Sequence, residues 1–200
     1  MSSVGRRNVL KAAVCLSVWL TDTAAHDQPD PTMTRPQPGD RLVFATGERK
    51  HEIVTLAGVP VAAPPLIAYP LDPATKIVRD GSRLNQVLLV RLDPDELAEE
   101  TRRRAAAGIV AYSAVCTHTG CDVWEWDAGA KRIKCPCHFS VFDVTDAGRV
   151  LDGPAPRRLP ALPINVADGV LVVAGGFVGR PGFQQGGVSC RRREGCSSAV

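Results

Sequence analysis

Two short segments constrain this chain more than anything else in it. They read Cys116-Thr-His-Thr-Gly-Cys121 and Cys135-Pro-Cys-His-Phe-Ser140, with thirteen residues between them. Of the chain's four histidines and seven cysteines, two and four respectively fall here. Each segment offers one Cys with one His: Cys116 with His118, and Cys135 with His138. Cys121 and Cys137 sit beside them. Two thiolates and two imidazoles make a metal-ligand set. Zinc would accept these donors, although zinc spacings place two Cys first and two His later. One Cys and one His per loop is what a two-iron centre needs when one iron takes both Cys and the other both His. A plain disulfide framework in an exported protein is the third reading.

The pattern C-x-H-x-G-C followed by C-x-C-H-x-S resembles that of the Rieske iron-sulfur proteins. The match is residue by residue, with 16 residues between His118 and Cys135, and the resemblance covers roughly residues 40 to 180. It implies one [2Fe-2S] cluster as cofactor, held by Cys116, His118, Cys135 and His138. It also implies a disulfide between Cys121 and Cys137, as in the high-potential branch. Gly153-Pro154-Ala155-Pro156 fits that branch's proline loop over the cluster. The implied fold is all-β: a Rieske-type antiparallel β sandwich with an inserted cluster-binding subdomain and one short helix. Ser140 fits the family's hydroxyl donor to a bridging sulfide. Phe142 stands where a second donor, Tyr, is often found. Donors near the sulfurs stabilise the reduced cluster and raise its potential, so one donor of two predicts an intermediate value.

The implied activity is one-electron transfer, with no catalytic residue of its own. The histidines' second ring nitrogens should lie near the cluster tip, where reduction can take up a proton. The string C-P-C-H-F-S-V-F-D looks like the small subunit of arsenite oxidase, which implies a large molybdenum-containing catalytic subunit and a periplasmic cytochrome c or copper protein. The proline loop looks more like the Rieske subunit of a quinol-oxidising complex with cytochrome b and cytochrome c1. An oxygenase ferredoxin fits less well, given the extra Cys pair and the export signal. A zinc-stabilised binding module is the reading from another class.

Arg6-Arg7 followed by Val9-Leu10 and Lys11 resembles a twin-arginine export signal. The apolar run Ala12 to Leu20, which includes Cys15, is short for a membrane span of about 20 residues. Thr23-Ala24-Ala25 is a passable cleavage site. Together they predict a periplasmic protein, with membrane association on the outer face as the variant. The expected organisation is a signal or short anchor at 1–25, a Pro-rich linker at 26–40, the main domain at 41–180 with its cluster subdomain at about 110–157, and a flexible basic tail at 181–200. A Cys190–Cys196 bridge within that tail is conceivable. A net charge of +3, with no basic run interleaved with aromatics, gives no case for nucleic acid.

Between the linker and the first loop, strands are predicted at 41–45, 53–56, 66–69 and 85–92, with 59–65 an edge or loop because of its prolines. Asp93 and Pro94 look like a helix start, and the helix is expected to run to about Ala107. Strands at 108–113, 122–126, 132–134 and 139–143 should frame the two loops. Trp124 and Trp126 share a face and should pack against the base of the domain. Strands near 158–166 and 169–174, joined at Asp168-Gly169, should complete the sheet.

Overall fold

Among the described residues, ten strands run in chain order as β1 (Arg41–Phe44), β2 (Leu66–Leu71), β3 (Val87–Arg91), β4 (Ile109–Ser113), β5 (Glu125–Asp127), β6 (Arg132–Lys134), β7 (Val141–Asp143), β8 (Arg149–Asp152), β9 (Ile164–Ala167) and β10 (Val170–Val173). The computed structural model describes residues 30–183. The export signal, Cys15, Cys190, Cys196 and the tail from 184 lie outside the described residues.

Strands β3 and β4 explain the architecture. Both read as near-continuous apolar runs, and successive side chains in a strand point to opposite faces. Val87, Leu89, Ile109 and Ala111 enter one core with Leu42, Val54, Leu162 and Leu171. Leu88, Val90, Val110 and Tyr112 enter a second core with Val123, Ile133, Phe142 and Val144. A strand pair buried on both faces must have a layer on each side. One layer is the rest of a six-stranded antiparallel sheet of order β4-β3-β2-β1-β10-β9. The other is an inserted four-stranded sheet of order β5-β6-β7-β8, lying between β4 and β9 in the chain. The larger sheet curls, so that residues leading into β9 meet its far edge: Ser113 N donates to Pro160 O (2.8 Å) and Leu162 N to Ala111 O (2.9 Å). The fold is the expected all-β one.

Several local expectations change. The helix from Asp93 to Ala107 is a 3-10 turn at Pro94–Glu96 and a single α turn at Glu99–Arg102. Leu97 is buried and extended between them. Arg102 donates to the carbonyls of Pro94 and Leu97, satisfying groups a continuous helix would have used. Of the helical turn itself only Thr101 is buried, so no apolar stripe rewards a longer helix. Residues 53–56 give only isolated bridges at Ile53 and Thr55. β2 continues through Pro70, because β3 pairs only with Leu66, Ile67 and Ala68 and no ladder donor is needed beyond them. Trp126 packs against the second core, but Trp124 is 59% exposed. Strand β8 has no counterpart among the expected elements.

The proline-rich segment before β1 is docked from residue 30 onward. Asn85, fully buried, donates to the carbonyls of Thr34 and Arg79. Asp40 and Arg79 form a buried bidentate pair at 2.7 and 3.0 Å. At the other end packing continues past residue 180, since Pro181 and Gly182 are buried. Among the described residues no helix is long and apolar enough to cross a membrane.

Candidate metal centre

The inserted sheet and the end of β4 present two loops with one internal design. In the first, Cys116 N donates to Cys121 O (2.8 Å) and Gly120 N to Cys116 O (3.2 Å). In the second, Cys135 N donates to Ser140 O (2.9 Å) and Phe139 N to Cys135 O (3.0 Å). Each loop is thus pinned around its leading cysteine. Each also needs left-handed backbone at its fifth residue: Gly120 has φ 85° and Phe139 φ 61°. Backbone bonding of this kind holds the side chains of the leading Cys and the His toward the space between the loops.

The structure sets the expected ligand residues in two pairs, Cys116 beside Cys135 and His118 beside His138. Cys116 and Cys135 are buried free cysteines. The rings of His118 and His138 meet edge to face, with centroids 4.6 Å apart. His118 is half-buried and His138 exposed. Cys121 and Cys137 are joined as a disulfide across the loops, with Cα atoms 6.5 Å apart. The Cys135 sulfur lies within 4.8 Å of both bridge sulfurs.

One polar atom of this space lacks a partner among the described residues. His118 Nδ1 is buried and accepts or donates no hydrogen bond. A buried imidazole nitrogen without a partner is costly unless something else binds it. Burial pushes the Cys116 thiol up to about 11; the His118 amide works the other way, while the adjacent Cys135 thiol adds to the rise. The His118 amide reaches Cys116 Sγ at 3.5 Å, and the Ser140 hydroxyl also favours the thiolate. The Cys116 thiol therefore keeps its proton unless a bound cation replaces it. The donor set, the unpartnered nitrogen and the two buried thiols fit a [2Fe-2S] cluster of mixed Cys and His ligation.

The expected proline loop seats on the second metal loop. Gly153 has φ 84°, and a Cβ there would fall 2.5 Å from Ser140 Cα and 3.0 Å from the Phe139 carbonyl oxygen. Only glycine allows that approach. Ala155 N donates to Ser140 Oγ (3.1 Å). Pro154 is exposed above this contact. Phe142, on β7, is wholly buried in the second core. Residues missed in the sequence complete the shell. Thr117, fully buried, donates to the carbonyl of Arg157 at 2.6 Å. Arg83 donates to the Gly120 carbonyl and the Asp122 carboxylate, on either side of Cys121. A Thr between two expected ligands was visible, but its partner 40 residues away was not.

Residues 85–163 match the Rieske [2Fe-2S] domain. The chain is 41% identical over 93 residues to the cytochrome bc1 complex Rieske iron-sulfur subunit of Streptomyces lividans, covering 46% of this chain and 55% of that protein. It is 42% identical over 106 residues to a Haloferax mediterranei protein provisionally named as the Rieske subunit of a respiratory nitrate reductase, covering 52% and 47%. The chain therefore spans about half the length of these curated relatives. Among solved structures, the plasma membrane Rieske protein PetC3 of Synechocystis PCC 6803 is similar at 28% identity and TM-score 0.39, covering 60% of this chain and 93% of that one. With its paired Cys-His loops and this domain match, the chain carries a Rieske [2Fe-2S] domain over residues 85–163, and its cofactor is one [2Fe-2S] cluster.

Proposed function

We propose that this chain is the electron-transfer subunit of a respiratory oxidoreductase complex, with Cys116 and Cys135 on one iron and His118 and His138 on the other. The observation that carries the assignment is the buried, unpartnered Nδ1 of His118, beside the two free buried thiols and the second imidazole. When bound, the cluster supplies one-electron redox chemistry. The chain's own residues do the rest. The two pinned loops fix the ligand spacing before metal arrives. The Cys121–Cys137 bridge keeps the loops from parting. Ser140 offers its hydroxyl toward Cys116 and accepts the proline loop's N–H with its oxygen. His118 is half-buried with its Nδ1 enclosed, while His138 is presented to solvent, so a partner would approach on the His138 side.

Two partner classes follow. Similarity to the Streptomyces bc1 subunit supports cytochrome b and cytochrome c1, with a quinol as the electron source. The Gly153–Pro156 loop seated on Ser140 is in keeping with that reading. The second reading is a molybdenum-containing catalytic subunit of arsenite oxidase type, with a cytochrome c or copper protein as acceptor. Phe139 beside the exposed His138 and the hydroxyl-free Phe142 favour it, as does the similarity to the nitrate reductase relative. In both, Arg6 and Arg7 would send the folded protein to the periplasm or the outer membrane face. Affinity purification of the chain from its native membranes tests the choice. Copurifying b-type haem supports the first reading; copurifying molybdenum supports the second. Retention of the Arg6→Lys, Arg7→Lys variant in the cytoplasm supports the export route, and unchanged export would remove it.

A further inference from the structure

The chain after β10 returns to the metal centre. Val178 N donates to the carbonyl of Ala161 at 2.7 Å. The Arg157 guanidinium then spans two carbonyls of the returning segment, Nη1 to Arg180 at 2.9 Å and Nη2 to Gly182 at 3.0 Å. Gly182 is buried with φ 74°, and a Cβ there would stand 2.6 Å from Leu84 Cδ2 and 3.5 Å from Val115 Cγ1. Phe183 follows; its Cβ lies 3.9 Å from where a Cβ on Gly120 would be. Residues 178–183 thus form a strap beside the first loop, with Gly182 facing Val115 just before the loop and Phe183 facing Gly120 within it.

Arg157 meets the same loop from its other end. Its carbonyl accepts the Thr117 hydroxyl at 2.6 Å. Thr117 lies between Cys116 and His118 and is fully buried. One residue therefore grips the turn between two ligands with its backbone and the strap over that turn with its side chain. A guanidinium can fork to two carbonyls in this way; an ammonium presents a single point charge.

We propose that Arg157 is a positioning residue that locks the C-terminal strap and the first metal loop into one unit, and so limits water access on the His118 side and sets the reduction potential. The proposal rests on the reading of Cys116 and His118 as ligands. The reduced centre carries one more negative charge than the oxidised one, and water stabilises added charge. Loosening the strap admits water and should raise the potential.

Arg157→Lys keeps the positive charge and loses the fork. Gly182→Ala keeps Arg157 but strains the left-handed position and pushes against Leu84, lifting the strap. The test is hydrogen–deuterium exchange and redox titration of the full-length, cluster-loaded wild type, both variants and the double variant. Exchange in 116–122 should rise several-fold in each variant while 135–142 stays protected. The potential should move upward in both, and the double variant should move no further than the larger single effect. Unchanged exchange and potential in cluster-loaded variants, or a fully additive double variant, would overturn the proposal. If Arg157→Lys does not fold, Gly182→Ala alone decides by the same two readouts. Failure of the ligand reading is a separate result: wild-type protein without iron and sulfide.

Discussion

Gly120 and Phe139 occupy the same place in their two loops. Each is the fifth residue from a leading cysteine, each donates its N–H to that cysteine's carbonyl, and each has left-handed backbone, φ 85° and 61°. Glycine adopts this conformation freely, whereas a phenylalanine there costs about 1–2 kcal/mol. Phe139 is 60% exposed, with the Lys134 ammonium 4.5 Å from its ring centroid. Little burial offsets the strain.

Phe139→Gly should therefore stabilise the protein by about 1 kcal/mol and leave iron content unchanged. Denaturant unfolding of both forms checks this. A less stable glycine variant would mean that the ring's contact with Lys134 outweighs the backbone strain.

Gly153→Ala should act in the opposite sense. The added methyl meets Ser140 backbone, not a side chain that can swing away. Left-handed strain adds to it, so a loss of about 2 kcal/mol or more is expected. The proline loop would lift from the second metal loop, and iron retention under a chelator should fall faster than in wild type. Wild-type retention would show that the loop is not part of the cluster's cover.

The disulfide predicts a stability effect with little spectral effect. Cys121 and Cys137 are 16 residues apart in sequence, and closing a loop of that size is worth about 3 kcal/mol. The Cys121→Ala, Cys137→Ala double variant should keep a recognisable cluster spectrum and lose stability of that order. Free thiols at both positions in air-purified, cluster-loaded wild type would remove the premise.

Much of this site was legible because its information is local. The two Cys-His segments, the hairpin of β5 and β6, and the apolar runs of β3 and β4 each declare themselves within a few residues. What stayed hidden depends on chain approaching chain. Asp93-Pro94 does start a 3-10 turn as a cap should, yet the helix fails because Leu97 is drawn into the core in extended backbone. Trp124 and Trp126 share an alternation, but Trp124 precedes the edge strand β5 and has nothing to cover it. Arg83, Thr117 and Arg157 look like ordinary polar residues until the fold sets them beside the first loop. The 30–40 segment is polar and aperiodic, and its docking depends on Asn85 and Arg79 far along the chain.

Ser140→Ala should lower the reduction potential. The hydroxyl faces the Cys116 sulfur and favours its charged form. Removing that donor disfavours the more negative state. Rieske potentials span about −150 to +300 mV, and with Phe142 lacking a hydroxyl the wild type should lie below the top of that range. Phe142 is fully buried, so Phe142→Tyr raises the potential only where the new hydroxyl reaches a sulfur. A Ser140→Ala potential at or above wild type would contradict this role.

The most direct test of the account is the metal and sulfide content of the purified wild-type protein, measured together with zinc on one sample. Mixed Cys and His ligation of a two-iron cluster predicts about two irons and about two acid-labile sulfides per chain, with zinc absent. One zinc per chain with neither iron nor sulfide would contradict it.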